Sequence, residues 1–345
     1  MPEYSKRLGH ISPDQFQAGL TRLHLGDYVK AERVPFGLFG QNVFLTSTHG
    51  EFVFRGVPHY PRQFPTEQFF VDKLHEHTQV PVPYPYLIDP ASDIFGWSFV
   101  IMPRLPGLHL QDKSVISKLS FPDRLDIACA LARTLAEAQT LTGEWAGQFD
   151  VDTRSVKPFD RHYRAWIVDS IREKVAAAQS YNDHTTPSDV DWIESVIAQA
   201  MPVLHLAYRP CVVLADFGEH NLVVTHAEGG WRVSGLFDLM TAHFGDGQAD
   251  LSLPVTTYLG ENEQLADAFV AEYLRLKTRL PGFVEHQRLY MLDLTLSFWR
   301  HWQRNEGGIP GEKKSLTFER GRGGGHAPLP LWGRVWGPLA PRSAG

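Results

Sequence analysis

Cysteine is nearly absent: Cys129 and Cys211 are the only two among 345 residues. That scarcity excludes a disulfide framework or a thiolate metal cluster. Both positions lie in apolar, periodic segments, where buried thiols of a reducing compartment are expected. Long apolar runs are missing too. The opening MPEYSKRLGH has no secretory stretch and no segment approaches an uninterrupted membrane span, so a cytoplasmic chain with no membrane partner is expected. There is no basic surplus either, and the formal charge of -6 argues against nucleic acid as a partner. No internal repeat is visible. What is present is ordinary globular material: 43% hydrophobic and 21% charged residues exclude a disordered or fibrous majority, and 345 residues suffice for two lobes.

The chemistry concentrates between Val212 and Ser252. Apolar runs before Asp216 and after Asn221 read as two strands flanking a polar loop. Beyond the turn at Gly229-Gly230, a third run from Trp231 to Phe237 delivers Asp238 at its end. Phosphoryl transfer needs a carboxylate to accept the attacking hydroxyl's proton and oxygen ligands for Mg²⁺ on the nucleotide phosphates. Asp216 and Asn221, spaced D-x-x-x-x-N, together with Asp238 supply that set. Magnesium suits it, because this ion takes hard oxygen donors and keeps several waters. His220 is left out, since neutral imidazole is a poor magnesium ligand.

LADFGEHN followed by LFD resembles the catalytic loop and metal-binding Asp of the aminoglycoside phosphotransferase/choline kinase family, small-molecule relatives of protein kinases. The trailing GDGQADLS is similar to the stretch just beyond that Asp. The family usually opens the loop His-Gly-Asp, whereas this chain has Leu214-Ala215-Asp216. The family His mainly packs and hydrogen-bonds; Leu214 can fill its space, or the change marks a weakened or lost activity. The departure also leaves room for a nucleotide-binding pseudokinase or regulatory module.

The resemblance covers roughly Gly26 to Arg304 and implies an α+β, protein-kinase-like two-lobe fold. Its small N-lobe (1–102) has an antiparallel sheet and one helix. A hinge (103–107) leads to a mostly helical C-lobe (108–305) and a poorly ordered tail (306–345). Asp216 is then the catalytic residue and Asn221 and Asp238 hold Mg²⁺. Gly37 and Gly40 belong to a hairpin whose backbone covers the phosphates of ATP, with GTP as the alternative. Arg55 ends the third strand where kinases place the phosphate-binding cation, and Glu67 on the next helix would pair with it. The carbonyl of Pro103 and the N–H of Leu105 would bind the adenine edge. The acceptor is a small-molecule hydroxyl: an aminoglycoside, or a choline-, homoserine- or sugar-like compound. Near the expected acceptor pocket Asp160, Glu261, Glu263 and Asp267 mix with Arg161, Arg164 and Arg172, so charge does not choose among them.

Helix signals are clearest at Ser12-Pro13-Asp14-Gln15, an N-cap with Gln three residues on. Helices are also read over Ser120–Thr142, Pro158–Ser180, from an N-cap at Ser188 to about Met201, Glu263–Leu280 and Phe283–Arg304. Asp250 is expected to bond backbone near the start of the following helix. Tyr258, Glu261, Trp299 and Trp302 are candidates to line the acceptor pocket. After Glu319 there is no acid, and from about Gly321 Gly and Pro dominate without periodicity.

Overall fold

The computed structural model describes residues 3–35, 40–181 and 185–304. Gly37 and the tail 306–345 lie outside them, as do the side chains of Trp299 and Trp302. The chain opens with a hairpin, β1 (Glu3–Ser5) and β2 (Gly9–His10), and helix α1 (Pro13–Arg22). Strands β3 (Tyr28–Arg33), β4 (Asn42–Ser47) and β5 (Gly50–Gly56) precede helix α2 (Gln63–His77). With β6 (Leu87–Asp89) and β7 (Phe99–Pro103) they form a five-stranded antiparallel sheet, ordered β3-β4-β5-β7-β6.

Strand β8 (Leu108–His109) and the single turn α3 (Lys113–Ile116) lead to α4 (Phe121–Ala138). Next come β9 (Gly147–Asp150), β10 (Ser155–Pro158), α5 (Tyr163–Tyr181) and α6 (Pro187–Ala200). β11 (Cys211–Val213), β12 (Leu222–Ala227), β13 (Gly230–Leu236) and β14 (His243–Gly245) follow. Helices α7 (Ser252–Glu261), α8 (Glu263–Leu276) and α9 (Phe283–Arg304) complete the described chain. Among the described residues no helix is long and apolar enough to cross a membrane.

The chain divides into two compact units that interleave in sequence. The first takes residues through Leu141, Phe149–Lys157 and Gly218–Ala242; the second takes Thr142–Gln148, Pro158–Phe217 and the chain from His243. In the first unit the two-residue period of strands sorts the sheet into two faces. Val43, Leu45, Phe54, Phe99 and Ile101 point to one side and bury against Phe16 and Leu20 of α1. Phe16 meets Phe54 edge-on, 5.3 Å between centroids. The cross-strand pairs Asn42↔Arg55, Phe44↔Val53 and Val53↔Met102 share the opposite face, where a pocket opens.

In the second unit α5, α6 and α9 bury Ile167, Ile171, Ile193, Ile197, Leu289 and Leu292 in one core. Inside it Arg164, with no exposed surface, donates from Nη2 to Asp246 at 2.6 Å and from Nη1 to the Leu206 carbonyl at 2.7 Å. Tyr290 donates to the same Asp246 oxygen at 2.7 Å. Burial works against the charge on Arg164, but Asp246 holds its pKa above the ordinary value. Arg164 is therefore a core residue already neutralised. Arg172 is paired with Glu194 and Arg161 with Asp169. Of the residues read as acceptor-pocket candidates, Tyr258 is buried in the core, its ring 6.0 Å from that of Phe269, while Glu261 is exposed.

The Ser12 cap forms as expected, accepting the Gln15 N–H at 3.1 Å while Gln15 accepts the Ser12 N–H at 3.0 Å. The cap read at Ser188 needs correction: α6 begins from Thr186, because Thr186 and Asp189 cap each other's N–H groups. Neither cysteine forms a disulfide and both are partly buried, and burial pushes the Cys211 thiol up to about 12.

Candidate active site

In the first unit, strand alternation aims Arg55 at the pocket face while its neighbour Phe54 enters the core. Arg55 is 4% exposed and Glu67, from α2, 1%. Arg55 Nη1 donates to both Glu67 oxygens at 2.7 and 2.6 Å, and Nε donates to Asn42 Oδ1 at 2.8 Å. Tyr86 also donates to Glu67, at 2.5 Å. Burial works against the charge on Arg55; Glu67 and then Asp238 outweigh it and hold the guanidinium above its ordinary pKa. Burial pushes Glu67 upward, and Arg55 opposes it. Arg55 Nη1 reaches Asp238 Oδ1 at 3.5 Å, so the cation sits between two acids from distant parts of the chain.

Asn221 and Asp238 lie at one end of the β12–β13 hairpin. Leu222 pairs with Leu236, and the Phe237 N–H donates to the Asn221 carbonyl at 3.0 Å. Asp238, one residue further, takes a left-handed backbone with φ +67. Short polar side chains tolerate that conformation, and such positions gather at functional sites. The donor set is one carboxylate and one amide oxygen. Among the described residues no group of three or more His, Cys, Asp or Glu could hold a metal. Magnesium fits, since one or two protein oxygens plus phosphate and water meet its needs.

The pocket beside Arg55 is lined by Val34, Phe44, Val53, Leu105, Val223 and Phe237 among others. An apolar lining of this kind suits a planar base. Arg104 donates its N–H to Glu51 in the β5–β7 ladder, and its guanidinium lies 3.9 Å over the Phe44 ring. Because the carbonyl and N–H of one trans peptide point opposite ways, the Pro103 carbonyl faces away from β5. On that side β6 has already ended, at the Leu87↔Ile101 pair. Gly40 has φ +60, and a Cβ there would come within 3.0 Å of the Ser5 Cβ. The Ser5 hydroxyl donates to the Gly40 carbonyl at 2.5 Å, tying β1 to this loop.

In the second unit, Asp216 follows β11, which pairs with β14. The loop is fixed through its main chain: Leu214 and Ala215 N–H groups donate to the two Asp250 oxygens, each at 2.8 Å. The expected role of Asp250 at the next helix is corrected accordingly; it sits in a 3-10 turn, Gly247–Leu251, and holds the Asp216 loop. Asp246, the partner of Arg164, caps the same turn by accepting the Gln248 N–H at 3.1 Å. Leu214 is buried at 2% exposure, as a packing residue should be, and Ala215 is left-handed with φ +66. Asp216 itself is partly exposed.

Sequence reasoning missed Asn42, Tyr86 and Asp246, and it set Arg164 near the acceptor pocket, whereas Arg164 lies in the core against Asp246. A signal existed for Asn42. The turn from Ser47 to Gly50 fixes the register of β4 and β5, and counting back from it sets residue 42 opposite Arg55.

A search of curated proteins gave no match. Among solved structures, a Ralstonia eutropha JMP134 protein provisionally assigned as an aminoglycoside phosphotransferase is similar, with TM-score 0.63 at 17% identity. The alignment covers 88% of this chain and 93% of that one. The GDP complex of wild-type aminoglycoside 2'-phosphotransferase-IIIa aligns with TM-score 0.59 at 16% identity, over 84% of this chain and 91% of that one. A thermostable mutant of aminoglycoside phosphotransferase APH(4)-Ia, in ternary complex with AMP-PNP and hygromycin B, gives 0.58 at 15%, over 84% and 92%. At these identities the likeness establishes the kinase-like α+β fold. The sequence profile of the phosphotransferase enzyme family matches residues 30–285, spanning both the Arg55–Glu67 pair and the Asp216 loop, and the chain belongs to that family.

Proposed function

We propose that this protein transfers the γ-phosphoryl group of ATP, in a magnesium-dependent reaction, to a hydroxyl of a small molecule. The observation that carries the reading is the buried Arg55–Glu67 pair with Asp238 3.5 Å from the guanidinium. A buried cation that keeps one face toward an open pocket is suited to polyanionic phosphates. Arg55 binds the phosphates, and Glu67, Asn42 and Tyr86 hold it in place. The backbone around Gly40 covers the nucleotide, with Gly37 assigned the same role. The base lies against the apolar lining, its edge read by the Pro103 carbonyl and Leu105 N–H, with residues 103–107 as hinge. Asn221 and Asp238 would hold Mg²⁺, which when bound offsets phosphate charge. Asp216 orients the acceptor hydroxyl and takes its proton as the new phosphorus–oxygen bond forms and the bond from the γ-phosphorus to the bridging oxygen breaks, releasing ADP. Little covalent assistance is required, so positioning and charge stabilisation supply most of the acceleration.

Similar folds hold GDP in one case and AMP-PNP with hygromycin B in another, which supports a nucleotide donor and makes aminoglycosides one acceptor class to try. Incubation with Mg-ATP or Mg-GTP and a panel of amino alcohols, sugars and aminoglycosides tests the reading. Phosphate should appear on an acceptor and vanish with Asp216→Asn. The second reading, a nucleotide-binding module without transfer, is favoured by Leu214 standing where the family has His. Nucleotide binding with no phosphorylated product across the panel would select it.

A further inference from the structure

Helix α4 grips the hairpin that carries Asn221 and Asp238 at both of its ends. At the far turn, Trp231 donates its N–H to Asp126 at 2.7 Å and its indole N–H to Asp123 at 2.9 Å. Gly230 is needed for this approach, since a Cβ there would sit 2.4 Å from Asp126 Oδ2. At the near end, Arg124 Nη1 donates to both Glu219 oxygens, at 2.9 and 3.1 Å. The two side chains are 6% and 14% exposed, so the pair is largely removed from water.

Glu219 belongs to the 3-10 turn Glu219–Asn221, two residues before the candidate metal ligand. Such turns have poor internal hydrogen-bond geometry and take their exact shape from outside contacts. Within this one the Asn221 N–H donates to the Gly218 carbonyl at 3.0 Å. From outside it, the Phe237 N–H donates to the Asn221 carbonyl at 3.0 Å and Arg124 holds Glu219. The Arg124 contact links the turn to the 18-residue helix α4.

We propose that the Arg124–Glu219 ion pair positions Asn221 and so sets the affinity of the site for Mg²⁺. The inference rests on the phosphotransferase reading, which supplies the metal, and adds a positioning pair to it. A buried pair of this kind contributes little net stability beyond what an apolar pair would, so its conformational effect is the property to measure. Partners that orient metal ligands typically change metal affinity by about 10–100-fold when removed.

The test uses the full chain with AMP-PNP at a fixed concentration, and reads Mg²⁺-dependent binding by calorimetry and thermal shift. Arg124→Gln and Glu219→Gln should raise the half-saturating Mg²⁺ concentration about 10–100-fold. Nucleotide affinity measured in EDTA should stay within about twofold. The swapped pair Arg124→Glu/Glu219→Arg should recover much of the Mg²⁺ affinity, and it also serves should either single variant fail to fold. A purely structural pair would lower the melting temperature and leave the Mg²⁺ midpoint alone; that result overturns the proposal while leaving the phosphotransferase reading intact. Absence of any Mg²⁺ response in the unaltered protein overturns both.

Discussion

A single side chain, Arg55, ties together strand, helix and hairpin through Asn42, Glu67 and Asp238. Glu67→Gln would leave that guanidinium buried with half its compensation gone. Losses of this type run to about 3–5 kcal/mol, and urea unfolding should find one of that order. Paired with Arg55→Met, the double variant should lose less than the sum of the singles, which a double-mutant cycle measures directly. Asp216→Asn belongs to chemistry instead. Its kcat should fall about 10²–10⁴-fold, the usual worth of a positioned acid–base group, with nucleotide affinity little changed. Ala215 offers a contrast in backbone terms. With φ +66 it bears strain that Gly would relieve, so Ala215→Gly should be neutral or stabilising. Ala132→Gly, in the interior of α4 and fully buried, should cost about 2 kcal/mol by the same assay, helix propensity and the lost buried methyl together.

At the scale of elements, the caps were the most legible features, because a cap is written in four consecutive residues. Ser12 to Gln15 and Ser120 to Asp123 both form reciprocal capping boxes. The Ser188 assignment erred by overlooking Thr186-Pro187-Ser188-Asp189, the same grammar two residues earlier. Asp250 was misread for a different reason: its partners, Leu214 and Ala215, lie 36 and 35 residues away, and no local spacing encodes that. Arg164 is similar, for a charge in an amphipathic helix looks solvated until Asp246 is found 82 residues on. The Asp123 cap makes a pH prediction. Hydrogen bonds from Ser120, then Trp231, hold its carboxyl at about 2. A depressed folded-state pKa stabilises above the unfolded value of about 3.9, and that contribution is lost as pH falls toward about 2. Asp123→Asn should therefore flatten the loss of stability between those two values in acid titrations followed by circular dichroism.

Across the whole molecule, sequence resemblance was enough to name the fold and the family, since the profile match and the fold likeness span most of the chain. The division into compact units was less legible. The hairpin holding Asn221 and Asp238 clusters with the N-terminal sheet, whereas Asp216, five residues before Asn221, clusters with the later helices. Chain proximity in this loop does not coincide with shared packing.

The way Asp250 holds its loop reaches beyond this chain. The Asp250 carboxylate grips peptide N–H groups, which any non-proline residue at 214 or 215 presents. A Leu-Ala pair can therefore keep the loop tied to Asp250 where the family has His-Gly. A missing signature histidine, taken by itself, is then a poor obituary for an enzyme of this kind.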